Sequence, residues 1–279
     1  MRMLTAASVA LLALPSISLA GEEVVMIDGT QRQIPTTITL PDGDGPFPFV
    51  VMFHGTGSDR HEAGGGYDLL APKLAEAGIA SARFDFAGNG DSPVDYVEYT
   101  PSSGLQDGQD VIAYMQGLDQ VADDRLGLLG WSQGGMIAMM AAIHTPDEVK
   151  SLVTWAGVVD MSDYMADKYD EAKANGFTVM EFDWREPLNL SVDWFDEVRA
   201  LDLATDLAGY DGAVLAIAGS NDDVVLPEVT DTILQAAGSD DEAKEIIEGA
   251  DHTFNIFSGD MTAFDELMQL TVDRFATTL

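Results

Sequence analysis

Six short apolar runs, bounded by glycine and mostly separated by helix-like stretches, constrain this chain more than any other feature. They read FPFVVMF, GIASARFDF, RLGLLG, SLVTWAG, AVLAIAG and EIIEG. A strand that is apolar on both faces has to be covered on both, and strands alternating with helices supply that cover. The expected fold is therefore α/β, with a mostly parallel central sheet and helices on both faces. Ahead of these runs, EEVVMID and RQIPTTITL flank the turn pair Asp28 and Gly29, which predicts an antiparallel hairpin.

Helices are expected over 68–78, ending on Gly78 as a C-terminal cap, and over 105–118, where Leu105, Val111, Ile112, Met115 and Leu118 fall near one face. QGGMIAMMAAIH is apolar almost all round and is expected to be buried, while PEVTDTILQAAG and DMTAFDELMQLTVDRFATTL supply the last two helices. Residues 158–209 break the rhythm. They are longer than an ordinary crossover and hold Tyr164, Tyr169, Phe177, Phe182, Trp184, Trp194 and Phe195. Such an insert is either an excursion whose aromatics pack its own underside or a cap over a site, since ligand pockets are largely apolar and aromatic. Two of the four tryptophans lie here and a third, Trp131, adjoins Ser132, which favours a cap and marks Trp131, Trp184 and Trp194 as candidate substrate-binding residues.

The first twenty residues read as an export signal: Arg2, an apolar stretch from about Leu4 to Leu14, and small residues at Ser18 and Ala20. The stretch is shorter than the roughly 20 residues a membrane span needs and is followed by Pro15. The expected organisation is a signal over 1–20 and one α/β domain over 21–279, in a periplasmic or extracellular protein. There is no cysteine, which removes disulfides, thiolate metal sites and a cysteine nucleophile. Against 48 acidic residues stand only 13 basic ones, for a net charge of −35. Such a surface repels nucleic acid and anionic membrane, so neither is an expected partner. Salt would relieve the self-repulsion, which fits either a protein adapted to saline surroundings or an ordinary acidic secreted one.

GWSQGG sets Ser132 between Gly130 and Gly134, directly after an apolar run. The spacing makes sense if the backbone turns so sharply at the serine that side chains at either glycine would collide, as in a strand-to-helix nucleophile elbow. An elbow serine needs a base, an orienting acid and donors for the charge that develops on a substrate oxygen. Of the four histidines, only His252, in GADHTF, follows the last expected strand; His144 at a helix end reads as a cap. GSNDDVVLP offers Asp222 and Asp223, of which Asp222 is preferred for its spacing from Gly219. The expected oxyanion donors are the amides of Gln133 and of Thr56, in HGTG after the first run. Asp85 and Asp91 read as structural, and PDGDGPF as a turn rather than a calcium loop, because it lacks the later ligands. No metal and no cofactor are expected.

HGTG, GIASARFDFAGNGDS, DRLGLLGWSQGG, GSNDDVVLP and GADHTF together resemble the α/β-hydrolase superfamily, and within it the bacterial cinnamoyl or feruloyl esterases and dienelactone-hydrolase-like enzymes. The resemblance runs from about residue 47 to the C-terminus. It implies an α/β-hydrolase fold, a triad of Ser132, Asp222 and His252, an oxyanion hole at Thr56 and Gln133, and a lid in the insert. It departs from the dienelactone hydrolases proper, whose nucleophile is a cysteine. The expected activity is that of a serine carboxylic ester hydrolase acting on a small-molecule ester. A serine peptidase or acyltransferase could use the same groups. A non-catalytic binding protein would show a lost catalytic position, and none is missing.

Overall fold

A computed structural model describes residues 21–279, so the expected export signal lies outside the described residues. Strands β1 (Gly21–Asp28) and β2 (Gln33–Leu40) form the antiparallel hairpin. Asp28 pairs with Gln33, so the connection is the four residues 29–32 rather than a tight pair at Asp28 and Gly29. The apolar runs form β3 (Phe47–Phe53), β4 (Ala80–Phe84), β5 (Val121–Trp131) and β6 (Val149–Trp155). After the insert, β9 (Ala213–Gly219) and β10 (Glu242–Ile247) complete the sheet. Its order is β1-β2-β4-β3-β5-β6-β9-β10, and every pairing from β4 onward is parallel. The chain runs outward from β3 to β4, crosses back to β5, and continues in the opposite direction. This reversal opens a crevice at the carboxyl ends of the strands, where open α/β sheets bind ligands.

Strand alternation divides the core in two. Phe49, Val51 and Phe53 of β3 face the cluster that contains α2 (Pro101–Gln116) and α3 (Gln133–His144). Val50 and Met52 face the one beneath α1 (Gly66–Glu76) and the C-terminal helix α8 (Thr262–Thr278). Helix α3 is buried along nearly its whole length, as its composition predicts. Helix α2 begins four residues before the expected start. Thr100 Oγ1 accepts from the Ser103 amide and Ser103 Oγ accepts from the Thr100 amide, a reciprocal cap followed by Pro101 at the first helical position. Helix α7 (Val229–Ala236) connects β9 to β10.

Residues 156–212 leave the sheet after β6 and return at β9. They form α4 (Tyr169–Asn175), a separate antiparallel pair β7 (Phe177–Met180) and β8 (Leu188–Ser191), then α5 (Val192–Ala200) and α6 (Leu203–Asp206). The aromatics divide into two groups. Trp194 and Phe195 are buried edge to face, and the more exposed Tyr164 and Tyr169 pack against them, Tyr164 on Trp194 and Tyr169 on Phe195. Phe182 and Trp184, in the loop between β7 and β8, instead pack on each other, and Phe182 reaches Gly57 on the loop after β3.

Candidate active site

Ser132 stands between β5 and α3 with φ 54° and ψ −121°, a left-handed backbone that a non-glycine residue adopts only when its surroundings enforce it. The Ser132 amide donates to the Trp155 carbonyl, and the Ser132 carbonyl accepts from Gly135 and Val158. The flanking glycines are required by contact. A Cβ on Gly130 would lie 2.2 Å from the Gly134 carbonyl oxygen, and one on Gly134 would lie 2.0 Å from that of Phe53. The turn thus brings the first turn of α3 onto the backbone of β3 and lifts the Ser132 hydroxyl above the sheet.

Two loops from the carboxyl ends of β9 and β10 converge on that hydroxyl. His252 Nε2 lies 3.1 Å from Ser132 Oγ, and His252 Nδ1 lies 2.8 Å from Asp222 Oδ2. Ionised, Asp222 can only accept, so Nδ1 carries the proton and Nε2 is left free to accept from the serine. Asp222 is fully buried, and its other oxygen accepts from the Val224 and Val225 amides at 2.9 and 2.8 Å. Asp223 is exposed and makes no such contact. The two loops meet at Gly219, where a Cβ would lie 2.2 Å from the Ala250 carbonyl oxygen.

The HGTG segment runs beside the serine: a Cβ placed on Gly55 would lie 3.5 Å from Ser132 Cβ. The Thr56 and Gln133 amides both sit at this junction, Gln133 as the first residue of α3, whose N–H has no partner within the helix. Among the described residues neither amide donates to protein. The Gln133 side chain is turned away and donates from Nε2 to the Tyr99 hydroxyl.

The tryptophans do not come together around the site. Trp131 adjoins Ser132 in sequence, but alternation along β5 sends its ring to the opposite face, among Tyr67, Trp155, Phe254 and Phe264, where it is 2% exposed. Its indole N–H donates to the His252 carbonyl, so it supports the histidine loop from below instead of offering a surface to substrate. Trp194 is likewise closed inside the excursion at 1% exposure. Both are corrected from ligand contacts to packing residues. Trp184 is 64% exposed, next to the Phe182 ring that covers Gly57.

Three side chains that the sequence did not single out hold the HGTG segment. His54 is fully buried; Nε2 accepts from the Phe86 amide, and Nδ1 donates to the Gly55 carbonyl at 2.8 Å. Burial lowers its pKa below the ordinary histidine value, against the pull of that hydrogen bond and of Asp85 and Asp59, so this ring is neutral. Glu62 Oε2 accepts from the Gly55 amide at 2.6 Å. Burial pushes the Glu62 carboxyl up to about 7, opposed by hydrogen bonds from Gly55, Ser58 and Ala63 and reinforced by the charge of Asp59. From the excursion, Arg185 Nη1 donates to the Gly57 carbonyl and, at 3.0 Å, to Asn89 Oδ1. A signal for His54 was present in its position straight after a fully apolar strand. Glu62 and Arg185 lie in polar loops and carry no pattern.

The remaining acidic candidates are scaffold. Asp85 is fully buried, paired with Arg60 Nη1 and accepting from the Arg60 and Asp91 amides, while Asp91 pairs with Arg60 Nη2. His144 Nδ1 lies 2.8 Å from the Met140 carbonyl and closes the last turn of α3.

The profile of the prolyl oligopeptidase family matches residues 69–260 of this chain. Among characterised proteins, it is 27% identical over 217 residues to the 2,6-dihydropseudooxynicotine hydrolase of Paenarthrobacter nicotinovorans, covering 76% of this chain and 53% of that one. It is 32% identical over 125 residues to a pimeloyl-[acyl-carrier protein] methyl ester esterase of Neisseria meningitidis, covering 45% and 42%. The chain therefore spans about half, or less, of the length of these relatives. Among solved structures, Est1E from Butyrivibrio proteoclasticus with ferulic acid bound superposes with a TM-score of 0.70 at 20% identity, over 91% of this chain and 96% of that one. A dienelactone hydrolase from Anabaena variabilis superposes with a TM-score of 0.65 at 18% identity, over 93% and 99%. With the sheet order, the helices on both faces and the family match in agreement, the chain belongs to the prolyl oligopeptidase family and has the α/β-hydrolase fold.

Proposed function

We propose that this protein is an exported serine ester hydrolase that works through an acyl-enzyme. The observation that carries the reading is the unbroken hydrogen-bonded line from Ser132 Oγ through His252 to buried Asp222. In this mechanism His252 Nε2 takes the Ser132 proton as Oγ attacks the ester carbonyl, and the resulting oxyanion accepts from the Thr56 and Gln133 amides. The imidazolium returns the proton to the departing alcohol. Water then attacks the acyl-serine, giving its proton to the same nitrogen, and the acid leaves as Ser132 regains its hydrogen. Asp222 keeps the ring in the tautomer that presents Nε2 and stabilises its charged form.

The substrate in this reading is a small ester, with a hydroxycinnamoyl-type or short acyl group, and the loop of Phe182 and Trp184 in the excursion lies over it as a lid. Support comes from the Phe182 contact with Gly57 and from the exposed Trp184 ring beside it. Export rests on the reading of residues 1–20. The match to a family named for oligopeptidases favours a second reading, amide hydrolysis by the same groups. Rates on p-nitrophenyl butyrate, methyl ferulate and a peptide p-nitroanilide, for wild type and Ser132→Ala, test both. Ester turnover lost in the variant is the expected result; equal rates in the two proteins would remove the serine mechanism. A peptide rate above the ester rates would replace the esterase reading with the peptidase one.

A further inference from the structure

The Glu62 carboxylate is not needed for the chemistry above, yet it is lodged beside the nucleophile. Its oxygen Oε1 lies 3.7 Å from the point where a Cβ on Gly55 would stand, and that point is 3.5 Å from Ser132 Cβ. Two features make glutamate an unfavourable choice here. Its backbone is left-handed, at φ 62°, and its carboxylate is half-buried. One oxygen accepts from Ala63 at 3.0 Å and caps the short turn that leads into α1, a task that serine, threonine, asparagine or aspartate performs with a shorter side chain. The other oxygen is committed to the Gly55 amide.

On the far side of Thr56 the Gly57 peptide is held in the complementary way. Arg185 Nη1 donates to its carbonyl, while the Phe182 ring closes over it so tightly that a Cβ there would lie 2.8 Å from Phe182 Cζ. In a chain with 48 acidic residues, Arg185 makes no ion pair with a carboxylate among the described residues; the acceptors of its side chain are two backbone carbonyls and an asparagine. Thr56 thus sits between two peptide groups, one fixed through its N–H by an anion and the other through its C=O by a cation. Among the described residues its own N–H has no protein acceptor.

We infer that Glu62 and Arg185 are positioning residues that together fix the orientation of the Thr56 amide toward the substrate oxyanion. The inference rests on the ester-hydrolase reading. An oxyanion donor is effective to the extent that it is aimed before charge develops, because no reorganisation is then needed during the reaction. Glu62 supplies that aim from the HGTG loop itself. Arg185 supplies it from the excursion, which links the seating of the β7–β8 loop to the readiness of the hole.

The test compares an ester with its thionoester, whose sulfur accepts hydrogen bonds poorly, in wild type, Glu62→Ala, Glu62→Gln, Arg185→Ala and Ser132→Ala. With the Thr56 amide misaligned, kcat for the ester should fall about 10- to 100-fold, less than the 10²–10³ of deleting a donor outright. KM should stay nearly constant, and the ester-to-thionoester ratio should narrow by about tenfold, because the thionoester never drew fully on the hole. Glu62→Gln, which keeps an acceptor oxygen, should recover most of the loss. Equal falls on both substrates, or ester turnover within twofold of wild type, would overturn the inference. Should Glu62→Ala fail to fold, Arg185→Ala carries the same readout from a different element. Ser132→Ala keeps the two levels apart: if it stays active, the esterase reading fails; if it is dead while the ratio holds in the other variants, only the positioning role fails.

Discussion

Asp222 and Asp223 are neighbours in the chain and opposites in surroundings: the Asp222 carboxylate is sealed from water 2.8 Å from His252 Nδ1, while Asp223 is exposed. An asparagine at 222 would offer an N–H where the ring also needs to donate, and so would favour the wrong tautomer. Asp222→Asn should lower kcat by about 10⁴-fold, the scale seen when a triad acid becomes an amide. Asp223→Asn should leave kcat unchanged. Steady-state kinetics on a p-nitrophenyl ester checks both.

The elbow makes a stability prediction that does not involve catalysis. A Cβ at position 134 would meet the Phe53 carbonyl oxygen at 2.0 Å, and that atom belongs to the central strand β3 and cannot swing aside. Gly134→Ala should destabilise the fold by about 2 kcal/mol or more, through forced displacement of packed backbone. The urea midpoint should fall accordingly, with unchanged slope.

Two ion pairs should behave very differently. Arg60 is 8% exposed and its partner Asp85 fully buried, whereas Lys244 and Asp231 are 40% and 50% exposed. Arg60→Ala strands a buried carboxylate and should cost about 3–5 kcal/mol. Lys244→Ala should change stability by less than about 1 kcal/mol. Chemical denaturation of both variants is the measurement.

Glu62 should leave its mark on stability as a function of pH. Its value is raised from 4.5 to about 7, so the folded chain binds the proton more tightly than the unfolded chain. The contribution is fully present below 4.5 and is lost as pH rises through 7. The groups that act on it are Asp59, the Tyr67 hydroxyl, Ser58 and the amides of Gly55 and Ala63. Glu62→Gln lacks this titration. The stability of the variant relative to wild type should therefore improve between pH 4.5 and 8, by up to about 3 kcal/mol. Asp107, also raised to about 7 by burial, slopes the same way, so the difference between the two proteins is the quantity to measure.

The net charge of −35 predicts a thermal midpoint that climbs by several degrees from low salt to molar NaCl, as screening shortens the reach of exposed carboxylates. A midpoint that does not move would argue for an ordinary acidic protein rather than one adapted to salt.

Much of this architecture could be read from the chain, for identifiable reasons. FPFVVMF and AVLAIAG match β3 and β9 residue for residue, because a strand covered on both faces has to be apolar throughout and glycines mark where it stops. The elbow glycines were legible because close backbone contact tolerates no other residue. The β7–β8 pair leaves no mark in the sequence because FTVM and LNLS are four residues each, too short for a two-residue period to stand out. Adjacency to Ser132 does not place the Trp131 ring at the site, because strand parity decides its face: it shares a face with Leu129, which packs under α1 and α8, and not with Leu128, which faces α3. Trp194 and Val198 lie one turn apart on α5, a spacing that marks the buried face of a helix. Glu62 and Arg185 act through peptide groups brought near by folding, and no periodicity in sequence encodes such a meeting.

Because the strands from β3 to β10 in the main sheet run parallel, the loops that build the candidate site leave from one rim, and the opposite rim carries the returns from helices together with the β2–β3 connection. Its connections, residues 117–120 and 145–148 among them, include exposed positions such as Asp119 and Asp147 and contribute nothing to the site. A short epitope or a surface anchor spliced in at Asp147 would therefore leave the site untouched, so the molecule can be immobilised by its underside with its working edge facing solution.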